Sequence, residues 1–309
     1  MPEPSDPHAP NLAAGAGATM VGMTRPVPEA QWRGRRDAHQ RRVDGWTAGH
    51  LVRRERGEKH PVADFLFTYY SYRPAQLRRW HPGAGIELLG ADPVEFGPEY
   101  RSTGRGATLD TAGILARRAE SVAWIADLLR HVAGRPAHLG CFGMHEWAMV
   151  YQAPEQRRHE AWPLRLSAAD TALVVEHNRV RCSHFDAYRF FTPAARPLNV
   201  LSPSRDRQRD MEQPGCLHAN MDLYKWAYKL SPLVDSELVG DCFALARDIR
   251  ELDMRASPYD LSALGFPPVP VETPEGRAQY ASAQRAFAVR AAPLRERLIA
   301  AVGELDPVR

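Results

Sequence analysis

Apolar residues recur at intervals of three and four over several long segments of this chain, and this periodicity limits its fold more than any other feature. One such face lies between Asp110, a predicted helix cap, and Gly134, a predicted helix end; it consists of Ile114, Leu115, Val122, Ile125, Leu128 and Leu129. The same spacing predicts helices over 238–252 and 280–298, the latter with a kink at Pro293. Because each of these faces must be buried against another element, the pattern favours one helix-rich globular domain.

Strand-like segments are few and short. We expect strands at 86–89, 172–176 and 268–272. Further helices are predicted to start after Pro28, where Pro-Glu-Ala opens a basic segment, and over 62–72, ahead of Pro74. The predicted fold class is therefore mainly α with a few short β-strands.

The 309 residues show no break in composition between 30 and 305. Residues 1–28 are rich in Pro, Ala and Gly, so we predict a disordered leader there and a single catalytic domain over 29–305. No stretch approaches the roughly 20 apolar residues that cross a bilayer, and the N-terminus lacks the pattern of a secretion signal. The four cysteines are widely spread, which is typical of free thiols, so a cytoplasmic protein without membrane contact is expected.

Basic residues are concentrated between 33 and 59. Nine stand there against few acids: Arg33, Arg35, Arg36, Arg41, Arg42, Arg53, Arg54, Arg56 and Lys59. A stripe of this kind neutralises the phosphates of a nucleic acid, whereas the net charge of +3 is by itself too small to indicate such a partner. The alternative interpretation is a solvated helix face.

Four segments combine aromatic, histidine and carboxylate residues at high density. They cover 60–81, 141–147, 181–193 and 215–229. Flat aromatic faces beside hydrogen-bonding groups and cations can stack a nucleobase, contact its edge and hold its phosphates. An aromatic core with hydrogen-bonded histidines is the alternative for any one segment.

The fourth segment carries two of the chain's three lysines. In a helix, Asp222, Lys225 and Lys229 lie on one face. A carboxylate near a sugar C1′ can stabilise an oxocarbenium-like transition state, and a lysine can anchor a phosphate or attack C1′. The alternative is an intrahelical ion pair worth roughly 0.2–0.5 kcal/mol.

Two further carboxylates are candidates for acid–base chemistry. In an extended segment, His184, Asp186 and Tyr188 would point the same way, and a histidine–carboxylate pair suits proton transfer. The third candidate is Glu146, which stands between His145 and Trp147.

Two Cys-x-His pairs are candidates for metal binding. Cys182-x-His184 and Cys216-x-His218 together offer four ligands of types that zinc accepts. A one-residue gap is not the usual spacing of cysteine knuckles, so no metal and no other cofactor is expected. The deaminase signature, the phosphate-binding loop, the dinucleotide fingerprint and the nucleophile elbow are all missing from the sequence.

Long runs of this sequence resemble a bacterial, largely actinobacterial, family of 3-methyladenine DNA glycosylases. The similarity covers roughly 30–300 and is carried by His-Pro-Val-Ala-Asp-Phe-Leu-Phe-Thr-Tyr-Tyr-Ser-Tyr-Arg-Pro from 60, Cys-Phe-Gly-Met-His-Glu-Trp from 141, Arg-Cys-Ser-His-Phe-Asp-Ala-Tyr-Arg-Phe-Phe-Thr-Pro from 181, Gly-Cys-Leu-His-Ala-Asn-Met-Asp-Leu-Tyr-Lys-Trp from 215 and Leu-Asp-Met-Arg-Ala-Ser-Pro-Tyr-Asp from 252. The resemblance implies base excision, of an alkylated purine or of a phage-type base such as glucosylated hydroxymethylcytosine. It leaves repair and phage defence both open.

The leading hypothesis is a monofunctional DNA glycosylase that flips a modified base, with no obligate protein partner. Asp222 or Asp186 would stabilise the sugar cation and direct water, with Glu146 as the third candidate. Residues predicted to form the base pocket are Tyr69, Tyr72, Trp147, His184, Phe185, Tyr188, His218 and Asn220. Residues predicted to hold phosphates are Arg73, Arg78, Arg79, Lys225 and Lys229.

Two other classes stay open at this point. A non-catalytic reader of modified DNA would bind in a salt-sensitive way without releasing a base. An enzyme acting on small nucleosides would turn over free nucleosides and use the basic segment only for solubility.

Overall fold

The computed structural model describes residues 24–153 and 159–305. Within these ranges the chain is a single, mainly helical domain with one small sheet, as predicted. Its helices are α1 (Glu29–Glu55), α2 (Phe65–Tyr69), α3 (Pro74–Arg78), α4 (Thr111–Ala133), α5 (Met144–Ala148), α6 (Ala168–His177), α7 (Phe185–Tyr188), α8 (Gln208–Met211), α9 (Leu217–Leu230), α10 (Ser236–Arg255) and α11 (Pro274–Gly303).

The sheet has the strand order β1-β2-β4-β3. Its strands are β1 (Arg25–Val27), β2 (Ile86–Leu89), β3 (Tyr100–Ser102) and β4 (Gly106–Leu109). β1 runs parallel to β2, and the other neighbours are antiparallel. The strand predicted at 86–89 is confirmed as β2. The prediction of disorder is wrong for 25–27, which pair with β2, while 1–23 lie outside the described residues.

Helix boundaries follow local capping chemistry. The Asp110 carboxylate accepts a hydrogen bond from the Gly113 amide at the start of α4, and Gly134 follows its last turn, as predicted. α1 starts directly after Pro28, also as predicted. α11 continues through Pro293.

Two predicted strands and one helix length are wrong. Residues 172–176 belong to α6, which Ser167 caps by accepting from the Asp170 amide. Residues 268–272 contain no strand, and the helix predicted over 62–72 is limited to α2. Short apolar runs are ambiguous, because a buried strand and one side of a short helix have similar compositions.

The centre of the domain is a helix pair. α9 packs against α10, and both contact α11, which also packs against α4. Tyr224 of α9 meets Phe243 of α10 edge to face, with ring centroids 5.0 Å apart. Within the described ranges, no helix combines the length and the apolar composition needed to cross a bilayer.

Candidate active site

A cavity of about 450 Å³ opens where α2, α5, α7, α9 and α10 meet. All three carboxylates that were predicted to be catalytic, Glu146, Asp186 and Asp222, line it. Three residues of the predicted base pocket also line it: Tyr69, His184 and His218. The fold therefore gathers the main predicted residues from four distant segments around one space, which we call the central cavity.

Lys225 bridges two of these carboxylates. Its ammonium nitrogen lies 2.9 Å from Asp222 Oδ2 and 2.9 Å from Asp186 Oδ2. The other oxygen of Asp222 accepts a hydrogen bond from the Tyr70 hydroxyl at 2.7 Å. The predicted helical placement of Asp222 and Lys225 on one face is thus confirmed.

The charges of this group are mutually stabilised. Burial opposes ionisation of Asp222, but the nearby Lys225 ammonium outweighs it and holds the pKa of Asp222 well below its ordinary value. Burial also opposes the charge of Lys225, yet Asp222 and Asp186 together raise its pKa. Lys225 is therefore protonated, and a protonated amine is not a nucleophile.

His184 extends the ionic group inward. Its Nε2 lies 3.2 Å from Glu212 Oε1 and 3.4 Å from Asp222 Oδ2. Burial lowers the pKa of His184, but the two carboxylates outweigh this effect and the pKa is raised. Glu212 was missed by sequence reasoning because it lies outside the aromatic part of its segment, directly before Gln213 and Pro214.

The segment around His184 is not extended, so that prediction is wrong. Phe185–Tyr188 form the short helix α7, and His184 precedes its first turn. His184 and Asp186 still reach the central cavity, but Tyr188 packs against Phe191 instead, with ring centroids 5.1 Å apart. A turn of helix separates side chains that an extended chain would align.

Arg250 organises the opposite wall of the central cavity. Its Nη1 donates to Asp253 Oδ2 at 2.9 Å and to Glu146 Oε1 at 3.2 Å, and its guanidinium lies over the Phe65 ring. Burial and the nearby Asp253 raise the pKa of Glu146, although Arg250 opposes the shift. Sequence reasoning missed Arg250, which looks like a surface position on α10 but is only 2 % exposed.

Besides Tyr188, four further predicted pocket residues lie away from the central cavity. Trp147 is buried and donates its indole N–H to the Ala256 carbonyl. Asn220 donates to the Pro214 carbonyl and accepts from Arg295. Tyr72 stacks on Tyr228, and Phe185 lines a neighbouring groove. Their placement in the core or in that groove does not support contact with a base in the central cavity.

Two grooves with basic residues adjoin the central cavity. One, which we call the tryptophan groove, has a volume of about 450 Å³ and shares Asp186 with the cavity; it is lined by Trp124, Phe185, Asp186, Arg205, Asp206, Gln208, Arg209, Lys225, Trp226 and Lys229. The other is larger, about 1030 Å³, and shares Phe65, Thr68 and His159 with the cavity. Arg54, Lys59 and Arg73 lie along this larger groove.

Only two of the five predicted phosphate-binding residues are exposed along these grooves. Lys229 and Arg73 line the two grooves and are exposed. Lys225 is held between carboxylates. Arg78 makes a two-point ion pair with Asp44, and Arg79 is exposed but lines neither groove.

Much of the basic stripe on α1 is paired within the protein. Its ion pairs join Arg35 to Glu237, Arg36 to Glu95, Arg42 to Asp241 and Arg53 to Asp64. These contacts fix α1 against α10 and neighbouring loops. These four arginines are therefore engaged within the protein, which neither the phosphate-binding nor the solvated-face interpretation predicts.

A third space of about 290 Å³ lies behind the central cavity and shares His218 with it. Its lining includes His145, Cys141, Cys182 and Cys216. All four cysteines of the chain are free, as predicted. The four-ligand zinc arrangement of Cys182, His184, Cys216 and His218 does not form, because His184 and His218 belong to separate clusters of histidine and carboxylate.

Comparison with protein-family models, with curated proteins and with solved structures finds no match for this chain.

Proposed function

We propose that this protein is a monofunctional DNA glycosylase that hydrolyses the N-glycosidic bond of a modified base. The observation that carries the proposal is the central cavity, where three carboxylates, three histidines and aromatic rings surround one space between two grooves with basic residues.

The central cavity suits a flipped base. Its volume of about 450 Å³ falls within the ordinary range for small-molecule sites, and a wall is formed by the stacked rings of Phe65 and Tyr69, with centroids 5.0 Å apart. Enzymes that act on a base extrude it from the helix and hold it against aromatic faces. Glu146, Arg250 and His218 offer hydrogen-bonding groups to the edge of that base.

Asp186 is the carboxylate best placed to act on the sugar. It lies where the central cavity meets the tryptophan groove, so a base in the cavity and a phosphate in the groove leave the sugar between them. Both carboxylates are ion-paired, Asp186 with Lys225 and Arg189 and Asp222 with Lys225, but the Asp186 side chain is 23 % exposed, compared with 3 % for Asp222. Asp186 therefore stabilises the developing sugar cation and orients water, while Asp222 positions Lys225.

The protonated state of Lys225 argues against a lyase. A covalent attack on C1′ requires a neutral amine, and the two carboxylates at 2.9 Å hold the proton on this one. We therefore expect an intact abasic site as the product, and a lyase would have to use Lys229, which is exposed in the tryptophan groove.

The test uses duplexes that contain 3-methyladenine, 7-methylguanine, uracil, hydroxymethylcytosine or glucosylated hydroxymethylcytosine. Each is incubated with the purified protein and then examined for alkali-labile abasic sites. The proposal predicts cleavage of one duplex, or of a chemically related pair, only after alkali. Binding without cleavage of any duplex would make the protein a reader of modified DNA.

A second candidate is an enzyme that acts on small nucleosides. It is favoured by the internal ion pairs of α1, which remove part of the expected phosphate-binding surface. Free modified nucleosides in the same assay distinguish the two. Turnover of nucleosides that duplex DNA does not inhibit would select this second function.

A further inference from the structure

Two buried clusters of histidine and carboxylate groups adjoin the central cavity. One consists of His184, Glu212 and Asp222, and the other of His145, His218 and Asp253. In each, one ligand-type atom from every residue lies within 4.8 Å of the others. The clusters differ in whether their carboxylate oxygens already have hydrogen-bond donors, since both ring nitrogens of His184 and Nε2 of His145 are without a hydrogen-bond partner among the described residues.

The first cluster is an ion-pair group. Asp222 accepts from the Tyr70 hydroxyl and from the Lys225 ammonium, and Glu212 Oε1 accepts from the Gln208 amide. The Lys225 ammonium, 2.9 Å from Asp222, would also repel an added cation. These carboxylate oxygens therefore already accept hydrogen bonds, and a positive charge lies beside Asp222.

The second cluster contains atoms without hydrogen bonds. His145 Nε2 and Asp253 Oδ1 form an ion pair at 2.9 Å, but the contact lacks hydrogen-bond alignment and neither atom has another hydrogen-bond partner among the described residues. The two residues are 4 % and 1 % exposed. Buried polar atoms of this kind are rare and costly, and a shared ion would satisfy both.

His218 supplies a third ligand from the first turn of α9. Its ring meets the His145 ring edge to face, with centroids 4.4 Å apart. Ligand atoms bound at about 2 Å from one ion lie roughly 3–4 Å apart, so three atoms that all lie within 4.8 Å of one another need only small shifts to share an ion.

Arg250 fixes the orientation of the carboxylate. It donates to Asp253 Oδ2 at 2.9 Å and so leaves Oδ1 directed at His145. Glu146 in turn holds the same guanidinium at 3.2 Å. A ligating carboxylate that is itself hydrogen-bonded on its other oxygen is a regular feature of metal sites.

We propose that His145, His218 and Asp253 bind a divalent transition-metal ion of the zinc class. Two imidazoles and one carboxylate are a donor set that zinc accepts, with a fourth position left for water. That position faces solvent-accessible space, because His145 and His218 line the 290 Å³ cavity and His218 also lines the central cavity. The proposal revises the expectation that the chain binds no metal, and it does not depend on the excision activity.

The test measures Zn²⁺ binding to the full-length protein without DNA. Protein treated with a chelator and then dialysed is titrated with Zn²⁺ by calorimetry, and Co²⁺ absorption reports the ligand geometry. We expect one ion per chain, a loss of affinity of about 100-fold or more in His218→Ala, and a loss of about 10- to 100-fold in Arg250→Met, as for other residues that hydrogen-bond a metal ligand. His138→Ala is the matched control, because His138 lines the same cavity outside the cluster.

His218 is chosen because it is less buried than His145, and circular dichroism verifies that each variant is folded. Absence of stoichiometric Zn²⁺ binding to the wild type would overturn the proposal. So would wild-type affinity in folded His218→Ala, or loss of binding in His184→Ala with retention in His218→Ala. Because no DNA is present, a failure of the glycosylase proposal leaves these results unchanged.

Discussion

Replacing Lys225 by methionine tests the ionic group beneath the central cavity. The change keeps the length of the side chain but removes the charge that lies 2.9 Å from both Asp222 and Asp186. Asp222 is only 3 % exposed, so it becomes a buried carboxylate without its closest cation. Breaking a buried pair in this way costs about 3–5 kcal/mol.

The lower part of that range is expected. Asp222 keeps the hydrogen bond from Tyr70 and the neighbouring His184, and Asp186 keeps its contact with Arg189 at 3.3 Å. We therefore predict that Lys225→Met lowers the free energy of unfolding by about 3 kcal/mol. Lys229→Met, one turn further along α9 at an exposed position, is the control and should change it by less than about 0.5 kcal/mol.

Urea unfolding, monitored by tryptophan fluorescence, measures the free energy of unfolding of both variants. The comparison requires that this free energy fall with urea concentration at the same slope in each variant. The folded-state pKa of Asp222 is lowered in the wild type, so the stability from this contact is present above the unfolded pKa of about 3.9 and is lost as the pH falls below it. The difference between wild type and Lys225→Met should therefore shrink at acid pH. A loss below about 1 kcal/mol at pH 7, or a difference that grows as the pH falls, would refute the reasoning.

Two further substitutions test the frame around the site. The Asp64 carboxylate accepts hydrogen bonds from Arg53, His50 and the His60 amide, and these contacts lower its pKa despite burial. In urea unfolding, Asp64→Asn should lower the free energy of unfolding by about 2 kcal/mol at pH 7 and by progressively less below about pH 4. A cost that does not change with pH would contradict this account. Asp110→Ala removes the cap of α4 and should lower the free energy of unfolding, measured by thermal denaturation, by about 1 kcal/mol. Asp110→Ser retains a capping oxygen and should lower it by less. Equal losses in the two variants would contradict the capping role.

Much of the helical frame is predictable from the sequence because its signals are local. Asp110 and Gly134 bound α4, and Pro28 precedes α1, since capping and proline geometry depend on a few neighbouring residues. The segment 172–176 resembles a buried strand because it has four consecutive apolar residues, whereas the structure places it in a short helix whose cap, Ser167, lies five residues earlier and which leaves Leu173 exposed.

The candidate site is predictable only in part. Glu146, Asp186 and Asp222 stand in conspicuous aromatic segments, and they do share a cavity. Arg250 and Glu212 carry no such signal, because their burial is created by the packing of distant helices and not by their neighbours in the chain. The same long-range packing buries Trp147 and Asn220 in the core, although the aromatic and polar residues around them in the sequence predicted that both would line the base pocket.

The most direct test of the proposed function is the single-turnover rate of base release by Asp186→Asn on the duplex that the wild type cleaves. The account predicts that the rate falls by about 100-fold or more, as for other positioned acid–base groups, while DNA affinity stays within a few-fold of wild type. Asp206→Asn is the control, because Asp206 is an exposed carboxylate in the tryptophan groove that lies outside the central cavity. A folded Asp186→Asn protein that releases the base at the wild-type rate would contradict the central claim.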